Sequence, residues 1–399
     1  MKPNYSHRMH HIPTSFIREI LAYANKPGVI SFAGGIPEEQ IFPYEEIQFS
    51  MNEVMRKNAT RGLQYGLTEG NTDLRELIAM DYRKKGIPIT SEHILITSGS
   101  QQGLDLVAKL FLNKGDRVLL EAPSYLGAIQ CFSQYECEFD EILLHPDGPD
   151  LDVLLEKIWE QTSSHAFMYM VPDFQNPTGY QYTLEKRKQV GEILKRANCF
   201  ILEDRPYAEL NYGEESLPEM LQLFPDQTIQ LGSFSKILTP GMRTGWIAAP
   251  LEIIKRLKLL KQASDLHSNG LVQEIILDLK SRGVIERHLP LIKKVYQSRR
   301  DAMCSELSLL SDFLDFEIPN GGMFCWASLK NGTAEELNWK CIQQDLVFVP
   351  GHHFYATNKN EKTIRLNFSK NEESVIRKGI QILKESYSQE STNVRTLLK

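Results

Sequence analysis

A lysine among small hydroxyl residues is the most reactive feature of the sequence. Lys236 ends the segment Gly-Ser-Phe-Ser-Lys, which follows a strand-like run at 228–231. Its neighbours Ser233 and Ser235 leave room for a planar group beside the amine. Such an amine forms a Schiff base only when it is neutral, and burial or nearby cations lower a lysine pKa from its usual ~10.4. Taken alone, the same segment is more often a surface loop.

Two further segments could hold an anionic group close to this lysine. Residues 97–103, Thr-Ser-Gly-Ser-Gln-Gln-Gly, lie between a predicted strand and a predicted helix. Small residues there, including Gly99, Ser100 and Gln101, let backbone N–H groups converge on an anion at the helix N-terminus. Arg243 could supply a charged fork to the same anion. The alternatives are a plain strand–helix turn and, for the arginine, a surface ion pair.

A carboxylate follows another apolar run. Residues 199–202 form a strand-like run, and Glu203 and Asp204 follow it. The carboxyl end of a sheet strand is where α/β folds bind ligands. A carboxylate there could keep a pyridine nitrogen protonated, as pyridoxal phosphate requires to act as an electron sink. Tyr207 could then bond the ring hydroxyl, whereas the alternative for Asp204 is a helix N-cap.

Three more residues could complete a site for such a cofactor and an amino acid. Asn176, in an Asn-Pro turn after a predicted strand, could bond a ring oxygen. Tyr125 offers a flat face on which a pyridine ring can stack. Arg365 alternates with apolar residues in a predicted strand and could clamp a carboxylate in a bidentate pair. The alternatives are an ordinary turn, a half-buried tyrosine and a structural salt bridge.

An α/β fold would have to position these residues. Short apolar runs predict strands at 94–97, 117–120, 139–143, 166–171, 200–202, 228–231 and 244–248. Amphipathic stretches such as 102–112 and 184–196 separate several of them. This alternation favours a mostly parallel, seven-stranded sheet covered by helices on both faces.

The pattern changes after residue 248, which indicates a second, smaller unit. Long helices are predicted at 251–281 and 284–310, and short strands of an α+β unit at 317–330 and 346–354. We expect a small domain built from both ends of the chain. The proposed division is a large cofactor-binding domain at 46–265 and a small domain with the N-terminal segment at 1–45 and 266–399.

Composition excludes several classes of protein. Of the 399 residues, 42% are hydrophobic and 24% charged, so a fibrous or wholly disordered chain is excluded. The net charge of −6 argues against nucleic-acid binding, which usually requires a basic patch. Six cysteines without a C-x-x-C pair indicate neither a zinc ribbon nor a disulfide framework. Without a secretory signal or a membrane-length apolar run, we expect a cytoplasmic protein with no membrane partner.

In combination and in this order, the motifs resemble those of the fold-type I, class I/II pyridoxal-phosphate-dependent aminotransferases, especially the 2-aminoadipate and kynurenine type. The resemblance covers nearly the whole chain and includes residues 15–21, 31–37, 63–66, 319–324 and 349–351. It implies pyridoxal 5'-phosphate as cofactor. It also implies ping-pong transfer of an amino group from an L-amino acid (2-aminoadipate, glutamate, aromatic or aliphatic) to a 2-oxo acid such as 2-oxoglutarate.

The resemblance implies a role for each cofactor-binding residue. Lys236 would form the internal aldimine and shuttle the substrate proton, with Asp204 on the pyridine nitrogen and Tyr125 stacked on the ring. Tyr65 would reach the phosphate of the neighbouring subunit, which implies a homodimer. The remaining contacts would be Asn176 and Tyr207 at the ring hydroxyl and Gly99, Ser100, Gln101, Ser233, Ser235 and Arg243 at the phosphate.

Substrate binding follows from the same resemblance. Arg365 would hold the α-carboxylate, helped by Asn176 and the backbone of Gly35. In relatives the N-terminal helix lines the side-chain pocket, and this chain has Ser15 and Arg18 there. Arg18 could pair with a distal carboxylate, favouring 2-aminoadipate or glutamate, or it could be a charge on the helix surface.

Three alternatives stay open on sequence grounds. A decarboxylase, lyase or cyclase would use the same cofactor site. A non-catalytic, aminotransferase-like sensor domain of a transcription regulator would need a DNA-binding module, for which the roughly 30 residues before Phe32 are too short. A metal site at the histidines is not expected, because they lack a carboxylate or cysteine at ligand spacing. These histidines are His7, His10, His11, His352 and His353.

Overall fold

Strands and helices alternate through the first two thirds of the chain. The computed structural model describes residues 5–10, 20, 23–24, 26–159, 165–213 and 216–388. The strands are β1 (Ile30–Ser31), β2 (Ile94–Thr97), β3 (Arg117–Ala122), β4 (Glu138–His145), β5 (Gly148–Pro149), β6 (His165–Met170), β7 (Phe200–Asp204), β8 (Thr228–Ser233), β9 (Gly245–Ala248), β10 (Leu314–Phe316), β11 (Phe324–Leu329), β12 (Leu346–Val347), β13 (Val349–Pro350) and β14 (Thr363–Asn367). The α-helices of these residues are α1 (Tyr44–Lys57), α2 (Ala59–Leu63), α3 (Thr72–Lys84), α4 (Ser100–Phe111), α5 (Leu126–Ser133), α6 (Leu151–Trp159), α7 (Leu184–Arg196), α8 (Met220–Leu223), α9 (Leu251–Asp265), α10 (Gly270–Ser281), α11 (Val284–Ser308), α12 (Ala334–Ile342) and α13 (Glu373–Ser388).

The large sheet has its strands in the order β2-β9-β8-β7-β6-β3-β4-β5. From β8 to β4 neighbouring strands are parallel, whereas β9 is antiparallel to both β2 and β8. The predicted α/β fold is confirmed, and all seven predicted strands are present. The predicted number of seven is wrong because β5 adds a strand antiparallel to β4. Its two residues, Gly148–Pro149, carry no apolar run that could have signalled a strand.

Apart from β4, the strands of this sheet are buried on both faces. In β2, Ile94 and Ile96 belong to one apolar cluster and Leu95 to another. In β6, Tyr169 belongs to one apolar cluster and Met168 to another. Because successive side chains point to opposite faces, such strands need helices on both sides. Polar groups of the strands therefore meet a ligand only where the strands end.

The C-terminal third forms a second, antiparallel sheet in the order β10-β11-β14-β13. Strand β1, from the N-terminal segment, pairs in parallel with β12 of the C-terminal part. This pairing supports the division into 46–265 and a small domain from both chain ends, which stays a prediction. Among the described residues, none of the helices combines the length and apolar character that crossing a bilayer requires.

The prediction of one long helix at 251–281 is wrong, because the chain forms two helices there. Helix α9 ends at Asp265, and Leu266 adopts a φ of 61°, which an α-helix cannot contain. Asn269 then begins α10, since its side chain accepts a hydrogen bond from the backbone N–H of Val272 at 3.1 Å. An asparagine cap of this kind is the sequence signal for the break.

Candidate active site

Two adjoining cavities lie at the carboxyl ends of the parallel strands. They share four lining residues: Tyr125, Asn176, Tyr207 and Lys236. The first cavity, which we call the cofactor cavity, also contains Ser100, Gln101, Asp204, Ser233, Ser235 and Arg243. The second, which we call the substrate cavity, also contains Gly35 and Arg365. Residues that the sequence analysis selected from separate motifs are therefore brought together here.

Lys236 lies at the junction of the two cavities, shortly after β8 ends at Ser233. Its Nζ donates a hydrogen bond to the backbone carbonyl of Gly35 at 2.8 Å. Burial, together with the positive charges of Arg365 and Arg243, lowers the pKa of the Lys236 amine to about 8. An amine with that pKa is partly neutral near physiological pH, which is the state that attacks a carbonyl.

One end of the cofactor cavity is arranged for an anion. Gly99, with a φ of 80°, precedes α4, whose first turn presents backbone N–H groups. The guanidinium of Arg243 lies against Gly99, since a Cβ there would come within 2.7 Å of Nη2. Gly245 is equally constrained, because its Cβ would lie 2.9 Å from the backbone nitrogen of Ser100. The hydroxyl of Ser233 accepts a hydrogen bond from the backbone N–H of Ser235 at 3.1 Å.

Asp204 also lines the cofactor cavity, where β7 ends. Its Oδ2 accepts a hydrogen bond from the hydroxyl of Tyr169 at 3.0 Å. Its Oδ1 is buried and has no hydrogen-bond partner. Burial raises the pKa of the Asp204 carboxyl to about 7, although the Tyr169 hydrogen bond opposes this. A buried carboxylate oxygen without a donor fits a protonated ring nitrogen.

Asn176 and Tyr125 line both cavities. The amide Nδ2 of Asn176 donates to the hydroxyl of Tyr207 at 3.3 Å. The ring of Tyr125 borders both cavities, and burial raises the pKa of its hydroxyl. Gly127 makes room for that ring, because a Cβ there would come within 2.5 Å of it. An aromatic face and an amide are thus available to a flat ring in the cofactor cavity.

Arg365 forms one wall of the substrate cavity from the middle of β14. Its Nη1 donates to Oδ1 of Asn176 at 2.8 Å, and Nη2 donates to the carbonyl of Ala33. The guanidinium lies over the rings of Phe324, at 4.4 Å, and Phe354, at 4.8 Å. Its Nε is buried without a hydrogen-bond partner, and burial lowers the pKa of Arg365 to about 10.

Some predicted site residues do not line these cavities, among them Gly99, which lies beside Arg243. Tyr65 is 80% exposed and makes an edge contact with the ring of His267 at 5.8 Å. Ser15 and Arg18 lie outside the described residues. Conversely, the sequence analysis missed Tyr169, which borders the cofactor cavity and holds Asp204. Its place inside the apolar run of a predicted strand gave no signal, because its contact with Asp204 depends on β7 lying beside β6.

The chain is similar to known proteins over nearly its whole length. The family model described as "Aminotransferase class I and II" matches residues 39–383. Aromatic-amino-acid aminotransferase 1 of Thermococcus litoralis is 40% identical, over 94% of this chain and 92% of that protein. The 2-aminoadipate transaminase of Thermus thermophilus is 38% identical, over 93% of each chain.

A solved structure extends the comparison to the cofactor. The α-aminoadipate aminotransferase of Thermus thermophilus, complexed with N-(5'-phosphopyridoxyl)-L-leucine, superimposes with a TM-score of 0.89 and 36% identity. The match covers 96% of this chain and 97% of that one. Pyridoxal phosphate is accordingly the cofactor of this chain. The orphaned oxygen of Asp204 fits its ring nitrogen, and the lining residues Ser100, Ser233, Ser235 and Arg243 fit its phosphate.

Replacing Tyr169 by phenylalanine tests the positioning of Asp204. The change removes a hydrogen bond to a charged group, a contribution of ~1.5–3 kcal/mol. We expect Tyr169→Phe to raise the Kd for pyridoxal phosphate by roughly tenfold or more, measured by titrating the apoprotein. Tyr212→Phe is the matched control, because that hydroxyl binds the carbonyl of Gly322 and not Asp204. An equal loss of affinity in both variants would argue against the role assigned to Tyr169.

Proposed function

Because the chain belongs to the class I and II aminotransferases, we propose that it moves an amino group between an L-amino acid and a 2-oxo acid such as 2-oxoglutarate, in two half-reactions of a ping-pong cycle. The observation that carries this proposal is the convergence of three groups on adjoining cavities. These are the low-pKa amine of Lys236, the orphaned oxygen of Asp204 and the guanidinium of Arg365. When bound, pyridoxal phosphate supplies an electron sink that acidifies the Cα–H bond of the amino acid.

Lys236 is the residue proposed to move the proton. Its Nζ lies where the cofactor and substrate cavities meet, so it can reach the Cα of an amino acid bound between them. A pKa of about 8 lets the amine accept a proton and return it near neutral pH. The carbonyl of Gly35, 2.8 Å away, orients the amine.

Arg365 is proposed to orient the substrate through its α-carboxylate. Asn176 and the carbonyl of Ala33 fix the guanidinium, and the rings of Phe324 and Phe354 enclose it. A fixed, buried fork holds a carboxylate in one orientation, which brings the Cα–H bond toward Lys236. Asp204 would hold the ring nitrogen, with Tyr125 against the ring and Tyr207 at its hydroxyl.

A half-reaction tests the proposed transfer. With a single amino acid and no 2-oxo acid, we expect one equivalent of pyridoxamine phosphate and one of 2-oxo acid per active site. Lys236→Ala should slow this conversion by about 10²–10⁴-fold, the usual contribution of a positioned acid–base group. Both products are measured by chromatography after rapid quenching.

The control for this half-reaction is Lys258→Ala, which removes a half-exposed lysine paired with Glu69 and should leave the rate unchanged. Release of carbon dioxide without pyridoxamine phosphate, or no conversion with any amino acid tested, would instead favour a decarboxylase, lyase or cyclase.

The substrate side chain is proposed to be that of 2-aminoadipate, glutamate or an aromatic or aliphatic amino acid. The names of the two relatives, aromatic-amino-acid aminotransferase and 2-aminoadipate transaminase, support this range. The described wall of the substrate cavity includes Ala33, Ile36, Leu126, Gly127 and Gln130. Away from Asn176, Lys236 and Arg365 this wall is mainly apolar, with the amide of Gln130, which suits an aliphatic or aromatic side chain. A distal carboxylate would need a cation, for which Arg18 is the candidate.

Arg18→Ala tests this last assignment. We expect KM for 2-aminoadipate and glutamate to rise roughly tenfold, as for loss of a hydrogen bond to a charged group, and KM for aromatic or aliphatic substrates to change little. Initial rates with each donor against 2-oxoglutarate measure the difference. Arg8→Ala, at an exposed arginine of the same segment, controls for net charge. Equal changes in KM for all donors would eliminate the assignment.

A homodimer is proposed from the exposed position of Tyr65. Leu63 and Leu67, close to it in sequence, are 63% and 56% exposed, so apolar and aromatic groups lie together on this surface. Tyr65 is absent from the lining of the cofactor cavity in its own chain. A second copy of the chain would cover this surface and receive Tyr65 at its own cofactor phosphate.

Subunit mixing tests whether Tyr65 acts across a dimer. We expect each of two variants, Lys236→Ala and Tyr65→Ala, to have lower activity than the wild type when the cofactor concentration is limiting. In a mixed dimer, the Lys236-containing subunit would receive the intact Tyr65 of the other subunit. Activity should therefore recover at one site per dimer, up to half of the wild-type value, after unfolding and refolding the two variants together. Recovery no greater than the Tyr65→Ala level, or a monomer in sedimentation, would contradict the proposal.

A further inference from the structure

Helix α12 and the turn after β13 bring together three side chains that have no part in the two cavities. Glu335 lies in the first turn of α12. His352 and His353 lie in the short 3-10 turn Gly351–Phe354. One potential ligand atom from each of the three lies within 4.8 Å of the other two. The sequence analysis dismissed these histidines for want of a nearby carboxylate, and the fold provides one from 17 residues earlier.

The donor atoms of these three side chains lie close enough together to bind one ion. Oε2 of Glu335 is buried and makes no hydrogen bond, and it lies 3.9 Å from Nε2 of His352. The rings of His352 and His353 lie side by side, with centroids 4.0 Å apart. An ion at this point would bind this carboxylate oxygen, which makes no hydrogen bond and has only the charge contact with His352. Two imidazoles and a carboxylate form a ligand set that zinc uses when a fourth position is open.

We propose that Glu335, His352 and His353 form a binding site for one divalent transition-metal ion of the zinc type. Ligand atoms around tetrahedral zinc lie ~3.4 Å apart, as bond lengths of 2.0–2.1 Å require. The present separations, up to 4.8 Å, would have to close to that value when an ion binds. Lys359 and Glu361 act on His352 with opposite charges, so Glu335 supplies the net negative charge at the site.

An ion bound at this site would affect the part of the fold that supports Arg365. The turn that carries both histidines ends at Phe354, whose ring lies 4.8 Å from the guanidinium of Arg365. The carbonyl of Phe354 also accepts a hydrogen bond from the backbone N–H of Ser124, next to Tyr125. A bound ion would tie α12 to this turn and so stiffen the support of Arg365. The proposal does not depend on the transferase activity, since none of the three ligands lines either cavity.

Zinc binding to the holoenzyme tests the site. His7, His10 and His11 could bind metal themselves, so all variants are made in a chain in which these three are alanine. Equilibrium dialysis against buffered zinc should find one ion per chain in this parent. Glu335→Gln and His353→Ala should each raise the Kd at least tenfold. Zinc should raise the melting temperature of the parent and not of these variants, and X-ray absorption should report two histidine nitrogens and at least one carboxylate oxygen.

The matched control is His145→Ala, which removes a histidine paired with Asp150 outside the cluster. Zinc binding should be unchanged in it. The metal-free melting temperature of each variant should equal that of the parent, so that lost binding is not lost folding. No bound zinc in the parent, or equal zinc affinity in the parent, Glu335→Gln and His353→Ala, would overturn the proposal.

Discussion

Burial of ionisable groups where the parallel strands end is the constraint on which the rest of this structure depends. Asp204 and Arg365 are almost wholly enclosed, and Lys236 lies between them. Enclosing a charge without partners costs several kcal/mol. The fold therefore supplies partners such as Tyr169 and Asn176, yet leaves Oδ1 of Asp204 and Nε of Arg365 without any. Under the proposed function, these two atoms receive a cationic ring nitrogen and a substrate carboxylate.

Asn176 couples the two cavities through one amide. Its Nδ2 donates to the hydroxyl of Tyr207 on the cofactor side, while its Oδ1 accepts from Arg365 on the substrate side. Because the two contacts use opposite ends of a planar group, rotating the amide would break both. The orientation of Arg365, the residue proposed to bind the substrate carboxylate, is thus tied to that of Tyr207.

Much of the site was predictable because its residues stand at the ends of local patterns. Lys236, Asp204 and Gly99 each follow an apolar run that forms a strand, and parallel strands of one sheet bring their carboxyl ends to one edge. Tyr169 was not predictable in this way, since it lies inside a strand and its hydrogen bond depends on which strand is the neighbour. Strand β5 and the end of α9 were missed because a two-residue strand has no period and one left-handed residue, Leu266, leaves the apolar pattern intact.

The sequence by itself determined the chemical groups, the strands that precede them and the family resemblance, because turns and apolar runs are encoded within a few neighbouring residues. Only the tertiary structure decided which distant groups touch. Lys236 meets the carbonyl of Gly35 from 201 residues away, and Arg365 meets Asn176 from 189. Glu335 precedes His352 by 17 residues, and the fold brings its carboxylate within 4.8 Å of both histidines. Such contacts depend on how β1, β14 and α12 pack against the rest of the chain, and no local pattern specifies that packing.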